Sequence, residues 1–201
     1  MSVGPLLAHP DARRLADRLV DRPGATAGAG DDVLRAAVLL VLRPVDEGLE
    51  LLFIKRAEYA GDPWSGQVAF PGGRHEPQDA TLRETALRET REETGVDAAR
   101  DGIVLGTLDE LWPRTPVLPP IVVRPYVAVV APDVRLALSD EVAAAFWAPL
   151  DLLRHPDSAF EATVVVQGAE RRVPALRHAE YTIWGMTERI FRNFLALLDL
   201  P

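Results

Sequence analysis

Three glutamates crowd one end of the stretch FPGGRHEPQDATLRETALRETREETGV, residues 70–96. Glu89, Glu92 and Glu93 stand three and four residues apart, a spacing that puts them on one helix face, where like charges repel and destabilise. Just upstream, Gly72 and Gly73 offer bare backbone that can approach a ligand closely. Carboxylates and an exposed backbone carbonyl are hard oxygen donors, the set that binds Mg²⁺ or Mn²⁺. A divalent cation turns the repulsion into coordination and takes phosphate oxygens as its remaining ligands. A merely solvated acidic face is the plainer reading of a charge run. Two features oppose it: the helix has few large apolar residues, and it follows the glycine pair closely.

The helix itself is punctuated. Thr81 and Glu84 form a T-x-x-E capping box that starts it near Leu82, and Gly95 stands where a left-handed cap ends it. At about 100° per residue, Glu89 is central on the acidic face, with Glu92 and Glu93 about 40–60° to either side. Leu87, Thr90 and Thr94 fall opposite, with Ala86 at the border, and face inward. Arg88 sits beside Glu92 and can orient it as an i, i+4 pair.

The surrounding elements follow from periodicity. Asp11–Asp21 has apolar residues at helical spacing, and RPGATAGAGDD is a linker. Leu34–Pro44 and Leu49–Ala57 are apolar runs joined through VDEG as a hairpin. Gln67–Phe70 is a short strand stopped by Pro71-Gly72-Gly73. Further strands are expected at Ile103–Leu111, Ile121–Val130 and Ala144–Leu150, the last running into a short helix. ATVVVQG and RRVPAL form an outer hairpin, YTIWG a last strand, and Met186–Leu200 a packed terminal helix. The fold class is α/β (α+β): residues 1–33 are an N-terminal helix and linker, and residues 34–201 one mixed domain.

Composition narrows the function. The 201 residues carry a net charge of −8, which argues against nucleic-acid or anionic-membrane partners. An anionic substrate then needs positive charge from elsewhere, which bound metal supplies. The absence of cysteine excludes disulfides, thiolate metal sites and cysteine nucleophiles. Charged residues interrupt the first twenty positions, no apolar run reaches membrane-span length, and a cytoplasmic location follows by default.

The glutamate segment resembles the Nudix box, G-x5-E-x7-R-E-U-x-E-E-x-G-U, where U is a bulky apolar residue. Gly73 opens it and Arg88–Val96 fills its second half. Asp79 replaces the first glutamate, eight residues rather than seven separate it from Arg88, and Thr90 takes the first U position. The extra residue matches the coenzyme A-type pattern, G-G-x-x-E-x-x-D-x5-T-A-L-R-E. Upstream, LFIKRA and GQVAFPGG resemble that subgroup's L-L-T-x-R-S and G-x-V-x-F-P-G-G, departing at Ile54 and Ala57.

The resemblance implies a Nudix fold, a mixed sheet sandwiched between helices, from about Leu34 to Leu200. It implies Mg²⁺- or Mn²⁺-dependent cleavage of the diphosphate in a nucleoside diphosphate derivative, with coenzyme A as the first substrate. ADP-ribose or another nucleotide sugar is the alternative, weakly echoed by Pro113. A non-catalytic Nudix-fold regulator would be expected to have lost box glutamates, which this chain keeps. By resemblance Glu92 and Glu93 are the principal metal ligands, completed by Glu89 and the Gly73 carbonyl. Glu89 is the first candidate base and Glu141, in a loop entering a strand, the second; a plain surface acid is Glu141's other reading. Arg56 is preferred over Lys55 for phosphate contact, since alternation puts the two on opposite faces. Trp64 and Trp112, in Pro-flanked segments, are candidates for stacking on a base, whereas Trp147 and Trp184 are assigned to the core and His75 is incidental. Homodimers are common in the family, and the N-terminal helix or the outer hairpin is the candidate interface.

Overall fold

The computed structural model describes residues 6–20, 22–28, 30, 32–61, 64–113, 120–166 and 168–198. The two longest apolar runs make its centre. Strand β1 (Leu34–Val45) turns through Asp46 and Glu47 into β2 (Gly48–Arg56), with Val45 opposite Gly48 as the VDEG hairpin requires. β6 (Ile121–Val130) lies parallel to β1, from Leu34 opposite Ile121 to Leu42 opposite Val129. Leu39, Leu40, Val41 and Leu42 are all fully buried, so β1 is covered on both faces and its sequence is a continuous apolar run rather than an alternation.

β3 (Val68–Ala69), β4 (Gly72–Arg74), β5 (Gly102–Thr107) and β7 (Val142–Pro149) complete a seven-stranded mixed sheet. Its main order is β3-β2-β1-β6-β5, with β4 pairing with β1 and β7 with β2. On one face, Leu39, Val41, Leu52, Ala128 and Val130 pack with Ala86 of α2 (Leu82–Thr94). On the other, Leu40, Leu42, Leu51, Phe53 and Val127 pack with α1 (Pro10–Val20) and α4 (Gly185–Leu198). The sheet is thus sandwiched between helices. α3 (Leu150–Arg154) continues directly from β7. No described helix is long and apolar enough to cross a membrane.

The expected outer hairpin is present as β8 (Ala159–Val166) and β9 (Ala169–His178), and the expected last strand, β10 (Tyr181–Trp184), joins it in a separate three-stranded sheet. Two expectations need correction. The glycine pair is not a loop: Gly72, Gly73 and Arg74 form β4, antiparallel to Val38, Ala37 and Ala36. The strand expected over Ile103–Leu111 stops at Thr107, and Leu111 returns only as an isolated bridge to Val123. Its register already shifts between Val104 and Gly106, where a Cβ on Gly106 would lie 2.8 Å from Leu19 Cβ of α1. Trp147 and Trp184 are only half-buried, and an arginine, Arg43, lies over the Trp147 ring at 4.2 Å. The terminal helix is described to Leu198; residues 199–201, most of the proline-rich stretch at 114–119, and Asp62 and Pro63 beside Trp64 lie outside the described residues.

Candidate active site

α2 is built to approach the sheet closely. Its inward residues Thr85, Ala86, Thr90 and Thr94 are small and fully buried. The Thr90 and Thr94 hydroxyls donate back to the carbonyls of Ala86 and Thr90 at 2.7 and 2.6 Å, so no buried hydroxyl on that face costs a lost partner. Thr81 caps the helix, its Oγ1 accepting from Glu84 N at 3.2 Å, while the Glu84 carboxylate reaches past the cap to Ala80 N at 2.6 Å. Gly95 ends it at φ +74°. The carbonyls of Glu93 and Thr94 accept from Ser139 N at 3.2 Å and Ala137 N at 2.8 Å. The loop that carries Glu141 therefore docks on the C-terminal end of α2.

Close approach makes the glutamates unequal. Glu93, placed by helical stepping at the edge of an acidic face, is only 3% exposed and accepts from Gly72 N at 2.8 Å. Burial chiefly pushes its carboxyl up to about 8; the Gly72 N–H opposes that, Glu89 adds to it, Arg56 opposes it and Glu141 adds to it. Glu89 is also raised, mainly by burial, against the pull of Arg88. Glu92 is half-exposed and is held by Arg88 Nη1 at 2.9 Å.

The glycines are what this geometry demands. Gly72 has φ +152°, and a Cβ there would lie 2.3 Å from Ala37 O and 2.6 Å from Val38 Cα. A Cβ on Gly73 would lie 2.4 Å from the Glu89 carboxyl carbon. Neither position admits a side chain without something moving.

Arg88 is fixed from behind. Its Nε and Nη2 donate to the two Asp79 carboxylate oxygens at 2.8 and 3.0 Å, while Nη2 also meets Glu89 Oε1 at 3.0 Å and Arg74 O at 3.3 Å. Asp79 is buried and accepts further from Glu76 N and the Thr85 hydroxyl. The Arg88 hydrogen bond, first among several causes, holds this carboxyl well below the usual range. Asp79, which reads as a departure from the box, is the anchor of the cluster.

A cavity of about 860 Å³ gathers most of the expected residues. Arg88, Glu89, Glu92 and Glu93 enter from α2, and Gly72 and Gly73 from β4. Arg56 enters at the end of β2, and Trp64 and Glu141 from the loops after β2 and before β7. Trp112 is not among the lining residues. Lys55 is absent from the lining as well, and the strand register shifts between Lys55 and Arg56, so simple alternation does not govern the pair. Arg74, Glu76, Ser139 and Met186 also line the cavity and were not foreseen. Arg74 and Glu76 stand beside the glycine pair, which is a local signal; Met186 comes from a helix more than a hundred residues away and carries none.

The donors suit a hard divalent cation: carboxylate oxygens, with the Gly73 backbone left bare where a Cβ would press on Glu89. Among the described residues, no three acidic or imidazole side chains are already clustered as a cage; Glu92 is turned toward Arg88.

Residues 33–167 match the family described as the NUDIX domain. The chain belongs to the Nudix family. It is 34% identical over 171 residues, 81% of this chain and 83% of the other, to a protein of Enterobacter sp. (strain 638) named "Uncharacterized Nudix hydrolase NudL". Escherichia coli proteins of the same name are 33% identical over 136 residues, 64% of this chain and 65% of theirs. Among solved structures, a MutT/nudix family protein from Enterococcus faecalis has TM-score 0.55 at 21% identity, covering 85% of this chain and 64% of that one. A C. elegans Ap4A hydrolase binary complex has TM-score 0.50 at 21% identity, covering 59% and 82%. These two likenesses show the fold. As a Nudix hydrolase the protein acts on the diphosphate linkage of nucleoside diphosphate derivatives.

Proposed function

We propose that this Nudix hydrolase cleaves coenzyme A or its thioesters to 3′,5′-ADP and 4′-phosphopantetheine, with Mg²⁺ or Mn²⁺ as cofactor. The supporting observation is convergence: Arg56, Val68 and Phe70 of the upstream coenzyme A-type pattern line the same cavity as Gly72, Gly73 and the α2 glutamates. Glu92 and Glu93 are the principal metal ligands, with Glu89 and the Gly73 carbonyl beside them. A divalent cation bound there neutralises the diphosphate and lowers the pKa of a coordinated water.

The protein's own groups do the rest. Asp79 fixes Arg88, and Arg88 orients Glu92 and Glu89 before substrate arrives, which is the condition for precise positioning. Glu89 takes the proton of the attacking water, with Glu141 the second candidate. Arg56 and Arg74 contact the phosphates, and the stacking role falls to Trp64, which lines the cavity, rather than to Trp112. A substrate panel with Mg²⁺ and Mn²⁺ and product identification tests the reading. Release of 4′-phosphopantetheine from coenzyme A is expected; ribose 5-phosphate from ADP-ribose, with coenzyme A untouched, would reassign the substrate.

A further inference from the structure

The cavity combines a charged lining with an apolar one. Its described charged residues come from the end of β2, from β4 and the turn after it, from α2 and from the Glu141 loop. The rest of the lining is largely apolar. Its floor is a patch of sheet in which Ala36 lies opposite Val123 and Leu34 opposite Ile121 across the parallel β1–β6 pair. Ala36, Val38, Ile121 and Val123 line the cavity, as alternation on one face dictates. The alternate residues Arg35 and Arg124 are not in this cavity; they reach Glu110. On the β4 side this floor is bordered by Arg74, the partner of Ala36, which also lines the cavity.

Met186 lines the same cavity from the first turn of α4, and several contacts fix it there. Gly185, at φ +69°, takes the chain from β10 straight into α4 without a loop. The next residue after Met186, Thr187, is buried and donates its hydroxyl to Val68 O at 2.9 Å. The strand before α4 is tied in by stacked rings: Tyr181 on Phe146 at 4.1 Å, Phe146 on Phe53 at 5.6 Å, and Phe53 on Phe70 at 4.9 Å. Phe70 itself lines the cavity. The small outer sheet is thus a brace for the turn that bears Met186.

We infer that Met186 is a specificity-determining residue, forming with the β1–β6 floor a subsite for an uncharged, apolar-faced half of the diphosphate substrate. This rests on the proposed function for the existence of such a substrate, and it assigns recognition to residues other than the proposed metal ligands. A cavity of about 860 Å³ is at the upper end of the usual 300–1,000 Å³ of ligand pockets. It therefore has room for such a group beyond the phosphates. Methionine suits the task, since its flexible thioether moulds to the ligand it meets. The half concerned is either the nucleobase or the group on the far side of the diphosphate, and separate probes distinguish them.

The test is equilibrium binding by calorimetry, without turnover, of ADP, 4′-phosphopantetheine and inorganic pyrophosphate, each with Mg²⁺. It compares the wild type with Met186→Leu and Met186→Asp. An aspartate in the first turn of a helix is favourable to the helix itself, and Met186→Leu keeps the apolar wall if Met186→Asp folds poorly. Met186→Asp is expected to weaken ADP or 4′-phosphopantetheine by roughly 10–200-fold, the range set by apolar pocket contacts. Pyrophosphate stays within about twofold, and Met186→Leu stays near wild type. Equal weakening of pyrophosphate, no change for either organic probe, or no measurable binding of either by the wild type would overturn the subsite. A separate turnover assay reports on the proposed reaction, so the two readings fail independently.

Discussion

At the residue scale, Glu93 sits 3% exposed against the Gly72 N–H, with its carboxyl pushed from 4.5 up to about 8. Between those values the folded protein holds a proton that the unfolded chain has released, so stability falls as pH rises across that window. Glu93→Gln keeps an acceptor for Gly72 N–H and removes the ionisation. In metal-free buffer the variant is expected to melt higher than wild type at pH 8, by an amount worth a few kcal/mol, with the difference vanishing toward pH 4. Thermal melts across that pH range check it, and a variant less stable at every pH would contradict the cause given. Asp79 has the opposite sign. Its carboxyl is held below the usual range by Arg88, so its contribution is complete at neutral pH and is lost only in strong acid. Asp79→Asn therefore lowers the melting temperature at pH 7, by about 1–3 kcal/mol for the lost charged hydrogen bonds. It also lowers turnover by releasing Arg88; melts and steady-state kinetics together read both effects.

At the element scale, α2 was legible because its signals are local. Thr81, Glu84 and Gly95 mark its ends in the sequence, and the structure starts it at Leu82 and ends it at Thr94. The β1–β2 hairpin was legible for the same reason, from two apolar runs around a two-residue turn. β4 was not, because a Gly-Gly-Arg tripeptide has no pattern of its own and is a strand only through β1. Glu93's burial was hidden likewise: stepping around a helix gives direction, while depth depends on how near the small threonine face lets the sheet come. The two glycines of β4 separate these effects. Gly72→Ala drives a Cβ into backbone atoms of β1 and is expected to destabilise the fold by about 1–3 kcal/mol. For Gly73→Ala the nearest atoms are those of the Glu89 carboxyl group, a side-chain end rather than backbone. It should leave the melting temperature nearly unchanged while cutting kcat by about 100-fold, the cost of a misplaced catalytic group. Circular-dichroism melts and initial rates on both variants distinguish them; loss of stability in Gly73→Ala would refute the assignment.

At the scale of the whole molecule, the sheet holds α2 on one face and α1 and α4 on the other. The candidate cavity draws on both sides of that sandwich, from the glutamates of α2 to Met186 of α4. The glutamates could be found from spacing alone, since three acids on one helix turn demand an explanation. Met186 and the bracing outer sheet could not, because their part depends on contacts between segments far apart in the chain. The central claim is that the α2 carboxylates exist to hold a divalent cation against a diphosphate. Its most direct measurement is Mg²⁺-dependent hydrolysis by Glu92→Gln and Glu93→Gln, each confirmed folded by circular dichroism. Each variant is expected to lose turnover by about 100-fold or more, the scale of removing a principal electrostatic group. Undiminished turnover in both variants would contradict it.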